Sequence, residues 1–184
     1  MWNVPADIWK HPANRSTRLK SLGRAIRWQL HYRLSGRSMD INYHGMTLRC
    51  PPGNHSASRA IYFSGLPDYA EMQFMLDYLR PGDQVIDAGA NIGVYTLLAL
   101  SVVGSGGRVE AIEPNPAVLP WLRDNLRINN ALNVTIHYDT VQYDPAEHRI
   151  RPDPRPWESP GDNVLVIARC QFEEVSARIG AGVH

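Results

Sequence analysis

Cysteine is nearly absent from this sequence: Cys50 and Cys170 stand far apart and form no C-x-x-C pair. Two such residues cannot build a disulfide scaffold or a thiolate zinc site, and they suit a reducing compartment, so a cytoplasmic location is expected. Long apolar runs are also missing. The longest, Val94 to Val103, is about half of the ~20 residues that a bilayer span requires. The N-terminal stretch holds no signal-peptide core, and no transmembrane segment is expected. No glycine-rich loop ends in Gly-Lys-Ser/Thr, no G-x-S-x-G occurs, and the seven histidines form no H-x-H or H-x-x-x-H pair. Walker-type phosphate binding, a hydrolase nucleophile elbow and a histidine metal pair therefore have no sequence support. A strong charge of one sign is lacking as well. With 19 Lys/Arg against 18 Asp/Glu, a globally basic nucleic-acid binder is excluded.

What is there suffices for a packed domain: 184 residues, 43% of them hydrophobic, fit one domain better than two. The charge is unevenly placed, with eight Lys/Arg and one acid in residues 1–37. Residues 15–34 predict a helix in which Leu19, Leu22, Ile26, Leu30 and Leu34 form one apolar stripe. That stripe is expected to pack on the domain, leaving Arg18, Lys20, Arg24, Arg27 and Arg33 to solvent. Docking of the basic helix on an anionic membrane or a partner is the alternative.

Ile41–Tyr43 and Met46–Arg49, joined across His44-Gly45, read as a hairpin. A helix is expected over Asp68 to Leu79, ended by Arg80-Pro81-Gly82. From Gln84 strand and helix alternate. Strands are predicted at Val85–Asp87, Arg108–Ile112 and Val134–Tyr138. The helices between them run from about Gly93 to Val103, and from an Asn115 N-cap with Pro116 at N1 to about Asn129. Val118, Leu119, Leu122 and Leu126 form the inner face of the second helix, where Pro120 is awkward. This order predicts a parallel α/β sheet with right-handed crossovers. Residues 144–162 read as a proline-rich irregular excursion, followed by a strand at Val164–Ala168 and a helix at Phe172–Ile179. The organisation expected is a lead-in (1–64), a core (65–143) and a C-terminal segment (144–184).

The chemically informative stretch is Val85-Ile86-Asp87-Ala88-Gly89-Ala90-Asn91-Ile92-Gly93. A buried strand ends in a carboxylate, then a glycine turn, then a helix. The next strand ends in Glu113, 24 residues after Gly89, near where nucleotide folds hold ribose hydroxyls. Asp87 discriminates between cofactors by charge. Beside a pyrophosphate it is repulsive, by ~4 kcal/mol per charge pair at 4 Å, whereas beside the cationic end of S-adenosylmethionine it is attractive. An NAD(P)-dependent reductase is the weaker alternative, and a non-catalytic interaction module docking through the basic helix is another. His137 reads as a packed or surface residue.

The run LRPGDQVIDAGANIGVYTLLAL…GGRVEAIEPNPAVLPWLRDNLRINNALNVTIH resembles the FkbM family of S-adenosylmethionine-dependent methyltransferases, through D-x-GANIG-x-YT and EPNP. The likeness extends over roughly 12–143. It implies a Rossmann-like class I methyltransferase fold that methylates a hydroxyl on a sugar, polyketide or related metabolite. By position, Asp87, Gly89, Asn91 and Gly93 would surround the cofactor's amino acid portion. Tyr95 and Thr96 open the following helix, with Thr96 counted among the cofactor residues, and Glu113 would hold the ribose. Asp68 stands where the family tends to have Glu. The resemblance also implies a later strand reading approximately F-I-K-I-D-V-E-G. The sequence reaches His184 before it, so the C-terminal half of the sheet is expected to be incomplete, with Val85–Asp87 as an apolar edge. Truncation is the expected explanation, ahead of a fragment completed by another chain or a diverged binder. On that reading the chain is expected to be inactive alone, and no catalytic base is identified. The oligomeric state is not legible.

Overall fold

The computed structural model describes residues 9–52, 61, 64–138, 141–144, 149–152 and 164–166. A short 3₁₀ turn (Pro12–Asn14) leads into helix α1 (Arg18–Ser35). Strands β1 (Met39–Tyr43) and β2 (Met46–Cys50) then form an antiparallel hairpin. Its turn has both central residues at positive φ, His44 at 50° and Gly45 at 82°, the primed geometry that matches strand twist. Helix α2 (Tyr69–Tyr78) follows, with Asp68 at its N-cap and Met72, Met75 and Tyr78 buried.

The sheet comes next. Strands β3 (Gln84–Ala88), β4 (Arg108–Ile112) and β5 (Val134–His137) lie parallel in the order β5-β4-β3. Helices α3 (Val94–Val103) and α4 (Leu119–Ile128) connect them. Both crossovers step in the same direction, so with one hand they place both helices on one face. Val109 and Ala111 of β4 are fully buried, while Glu110 and Ile112 between them are half-buried. The entry to β4 demands glycine: a Cβ at Gly107 would sit 2.5 Å from Val103 Cβ and 2.6 Å from the Asp83 carbonyl oxygen. The hydrophobic core runs continuously from Ala25 and Trp28 through Leu48, Met72 and Leu97 to Leu122.

Four expectations need correction. First, α1 turns its leucine stripe outward: Leu19, Leu22, Ile26, Leu30 and Leu34 are all exposed, and the packed face is Ser21, Ala25 and Trp28. One tryptophan flanked by small residues fits closely against the domain, and Ser21 is anchored there by donating to Asn14 Oδ1 at 2.8 Å. Second, α4 begins at Leu119, because Pro120 lacks an N–H and is accommodated only in a first turn. Asn115 instead closes the preceding turn, its Oδ1 accepting from the Ala117 N–H at 3.0 Å. Third, the segment read as irregular (144–162) includes a strand, β7 (Arg149–Pro152), which pairs antiparallel with β6 (Val141–Asp144) at its start. Fourth, β3 is not an open edge. β8 (Val164–Val166) pairs antiparallel with it, Val164 opposite Ala88 and Val166 opposite Ile86, which satisfies backbone groups that would otherwise be free. The expected helix at Phe172–Ile179 and Cys170 lie outside the described residues. Among those residues no helix is long and apolar enough to cross a membrane.

The lead-in hairpin is joined to the sheet by two asparagines. Asn125 accepts from the Arg49 N–H at 2.6 Å and donates to the Arg49 carbonyl at 3.1 Å. Asn129 repeats this with Thr47, at 2.7 Å both ways. Spacing makes this possible: four residues of helix advance about 6 Å and two residues of strand about 6.6 Å. The helix thus presents two amides in the register of a neighbouring strand. Arg49 reinforces the junction with ion pairs to Asp40 and Asp124, each at 2.7 Å; Arg49 holds the Asp40 carboxyl below its usual range, and Arg127 together with Arg49 does the same for Asp124.

Asn125 is fully buried and serves three backbone groups, those of Arg49 and the Ile92 carbonyl. Asn125→Ala leaves all three unpaired and is expected to cost about 2–4 kcal/mol in urea denaturation. Asn129→Ala, at a half-buried position, is expected to cost about 1 kcal/mol. Equal and negligible losses would show that the junction is held by other contacts.

Candidate functional site

The carboxyl ends of β3 and β4 bring Asp87 and Glu113 together with the glycine turn between β3 and α3. Three residues of that turn take positive φ: Gly89 at 86°, Asn91 at 51° and Gly93 at 95°. Gly93 caps α3, and a Cβ there would press on Leu122 Cδ1 at 3.0 Å. Alternation of left-handed and ordinary residues folds the turn tightly on itself.

Every N–H of the turn has an internal acceptor. Those of Gly89 and Ala90 both reach the Ile112 carbonyl at 2.9 Å, and that of Gly93 reaches the Ala90 carbonyl at 2.7 Å. The Asn91 N–H donates to Glu113 Oε2 at 2.9 Å. The Ile92 N–H donates to Asn91 Oδ1 at 2.8 Å. The other Glu113 oxygen accepts from the Asn115 N–H at 2.8 Å. Glu113 therefore ties both loops of the site, and each of its oxygens retains acceptor capacity. Its own N–H is fixed by the His137 carbonyl at 2.9 Å.

Asp87 is almost fully buried, and its Oδ2 accepts from Thr96 Oγ1 at 2.5 Å. Burial pushes its carboxyl up to about 6; the Thr96 side chain and backbone oppose this, and the charge of Glu113 adds to it. Thr96 is wholly buried in the first turns of α3. All six sequence-identified residues, Asp87, Gly89, Asn91, Gly93, Thr96 and Glu113, lie on this one assembly of turn, strand ends and helix start. Its chemical character is uniform: neither 87–96 nor 111–118 contains a Lys or Arg.

Two further contacts shape the surroundings. Tyr95 donates its hydroxyl to Asp68 Oδ2 at 2.9 Å, and burial with that carboxylate nearby raises the phenol further. Asn125 donates to the Ile92 carbonyl at 2.8 Å, steadying the turn from behind. Asn125 escaped the sequence reading, although a polar residue standing between Leu122 and Leu126 on an apolar face was its available signal. His137 sits on the half-buried face of the sheet, its Nε2 2.6 Å from Glu110 Oε2.

A family model described as the TRM5/TYW2 methyltransferase domain matches residues 57–150, just over half of the chain. No curated protein matches the sequence. Among solved structures, a Clostridium thermocellum protein described as an rRNA methylase is 25% identical with a TM-score of 0.37, covering 38% of each chain. A Pyrococcus horikoshii protein described as a transferase is 23% identical with a TM-score of 0.42, covering 56% of this chain and 36% of its own. A geranyl diphosphate methyltransferase solved with geranyl diphosphate and sinefungin is 19% identical with a TM-score of 0.32, covering 63% and 48%. The matched region thus spans less than half the length of each of these proteins.

Asp87 is ionised in the unfolded chain above pH ~4 but in the fold only above about 6. Its contribution to stability is therefore present below pH ~4 and lost as pH rises through ~6. Asp87→Asn removes that loss. The variant is expected to be more stable than the parent above pH ~6, by up to about 3 kcal/mol, with the gap closing toward pH ~4. Urea denaturation on both sides of this window checks the sign; a variant less stable than the parent at neutral pH contradicts it.

Proposed function

Because the chain belongs to the TRM5/TYW2 family of S-adenosylmethionine-dependent methyltransferase domains, we propose that Asp87, Glu113 and the Gly89–Gly93 turn bind S-adenosylmethionine for methyl transfer to an acceptor hydroxyl. The α/β sheet with its parallel β5-β4-β3 order is a Rossmann-like methyltransferase fold. The observation that carries the cofactor reading is the saturation of the turn. All five N–H groups from Gly89 to Gly93 are engaged internally, so none is aimed at a pyrophosphate. Two buried carboxyls and no cation in the adjoining segments suit a ligand that brings positive charge and hydroxyl donors. This argues against a nicotinamide dinucleotide on electrostatic grounds.

In this reading Glu113 accepts from the ribose hydroxyls while its bonds to Asn91 and Asn115 keep the carboxylate in place. Gly89, Asn91 and Gly93 let the backbone pass close to the cofactor's amino acid portion. Asp87, held by Thr96, supplies negative charge at the end of β3. When bound, S-adenosylmethionine supplies a methyl group already activated on a sulfonium, so the protein's part is largely alignment and exclusion of water. The resemblance of residues 79–137 to the FkbM family supports a hydroxyl on a sugar, polyketide or related small metabolite as acceptor. The scarcity of cysteine, two residues in the whole sequence, is in keeping with a cytoplasmic setting.

Titration calorimetry tests the reading. S-adenosylmethionine is expected to bind and NADH is not. Affinity is expected to rise with pH through ~6 as Asp87 ionises and then level off. Asp87→Asn should flatten that profile, and Glu113→Gln should weaken binding about tenfold. NADH binding without S-adenosylmethionine binding would overturn the assignment.

A further inference from the structure

Helix α1 is packed on one side and apolar on the other. Ser21, Ala25 and Trp28 face the domain, while Leu19, Leu22, Ile26, Leu30 and Leu34 are 79%, 37%, 54%, 54% and 83% exposed. At 100° per residue those five positions fill an arc of about 120°, roughly opposite the packed face. Cations border the arc on both sides, Lys20 and Arg27 along one margin and Arg18 along the other, and Arg33 enters it near the last turn. Lys20, Arg27 and Arg33 are exposed and are in no ion pair among the described residues. From Trp9 to Arg37 there are eight Lys/Arg and no Asp or Glu. Trp9 is itself 53% exposed, with the Arg18 guanidinium 4.9 Å from its ring centre.

We propose that α1 lies in the plane of an anionic lipid surface, its leucine stripe in the acyl boundary and its bordering arginines and lysine on the headgroups. Three features select this occupant. A predominantly aliphatic arc gains from entering hydrocarbon, whereas a nucleic acid offers phosphates and base faces but nothing for five leucine-type side chains. The bordering cations have stems long enough to keep their charge among headgroups while the stripe is immersed. A second copy of the helix would meet the same acid-free cationic margins, so self-association through this face brings like charges together. The packed face of α1 remains in the core throughout, so docking needs no unfolding. The helix is about 27 Å long and, like the other described helices, not apolar enough to cross a bilayer.

Flotation of the full chain with phosphatidylcholine vesicles, with and without phosphatidylserine, tests this independently of cofactor binding. Binding is expected only with phosphatidylserine, and it should fall as salt is raised. Ile26→Glu/Leu30→Glu changes two exposed positions, so circular dichroism should be unaltered while vesicle binding is lost. Lys20→Glu/Arg27→Glu should lower the partition coefficient by about 25-fold or more. The proposal is overturned by absence of binding to any vesicle, or by equal binding to neutral and anionic ones. It is also overturned if Ile26→Glu/Leu30→Glu abolishes a vesicle-independent dimer, or if the chain captures RNA and no lipid.

Discussion

A pair of buried carboxyls at the ends of adjacent parallel strands is the constraint around which the rest of the site is arranged. Glu113 is compensated by two backbone N–H donors, from Asn91 and Asn115. Asp87 has the Thr96 hydroxyl and backbone on its side and the charge of Glu113 against it. Left-handed backbone at Gly89, Asn91 and Gly93 is what brings the Asn91 N–H within reach of Glu113. Without the turn, a carboxylate exposed by only 7% would keep only the Asn115 N–H, at a cost of a few kcal/mol. The turn's N–H groups are all engaged internally, so the turn itself offers no donor to an anionic ligand. Electrostatics and geometry therefore act together to disfavour an anion beside the turn.

Much of this was legible in the order of residues, because the signals are local. Short β-branched strands, a glycine turn and an acid at the following strand end place Asp87, Gly89, Asn91, Gly93, Thr96 and Glu113 without reference to distant contacts. The hairpin turn at His44-Gly45 and the strands at 84–88, 108–112 and 134–137 are of the same kind. What escaped depends on partners far along the chain. The outward face of α1 is decided by how well Trp28 fits the domain, not by which stripe is longest. The antiparallel pairing of Val164–Val166 beside β3 reverses the expectation of a bare edge, since direction in a sheet is set by the path of the connection. Asn125 looked like an interruption of an apolar face because its acceptors lie 33 and 76 residues away.

The asymmetry of charge acquires a structural place once the helices are oriented. The basic N-terminal segment and the acidic pair occupy different parts of the fold, with the core between them running from Trp28 to Leu122. The proposed cofactor site and the proposed lipid-facing stripe thus draw on separate residues. The apolar stripe of α1 shares no side chain with the turn, and the turn shares none with the stripe.

The amides of Asn125 and Asn129 seal the outer edge of β2 against recruitment by another strand. That seal depends on α4 keeping its distance from the hairpin, and α4 is also the helix whose Leu122 touches the empty space at Gly93. Any side chain added at position 93 pushes on the same rod that closes the hairpin's edge. Crowding at position 93 would therefore be felt at the hairpin as a tendency to stick to other chains.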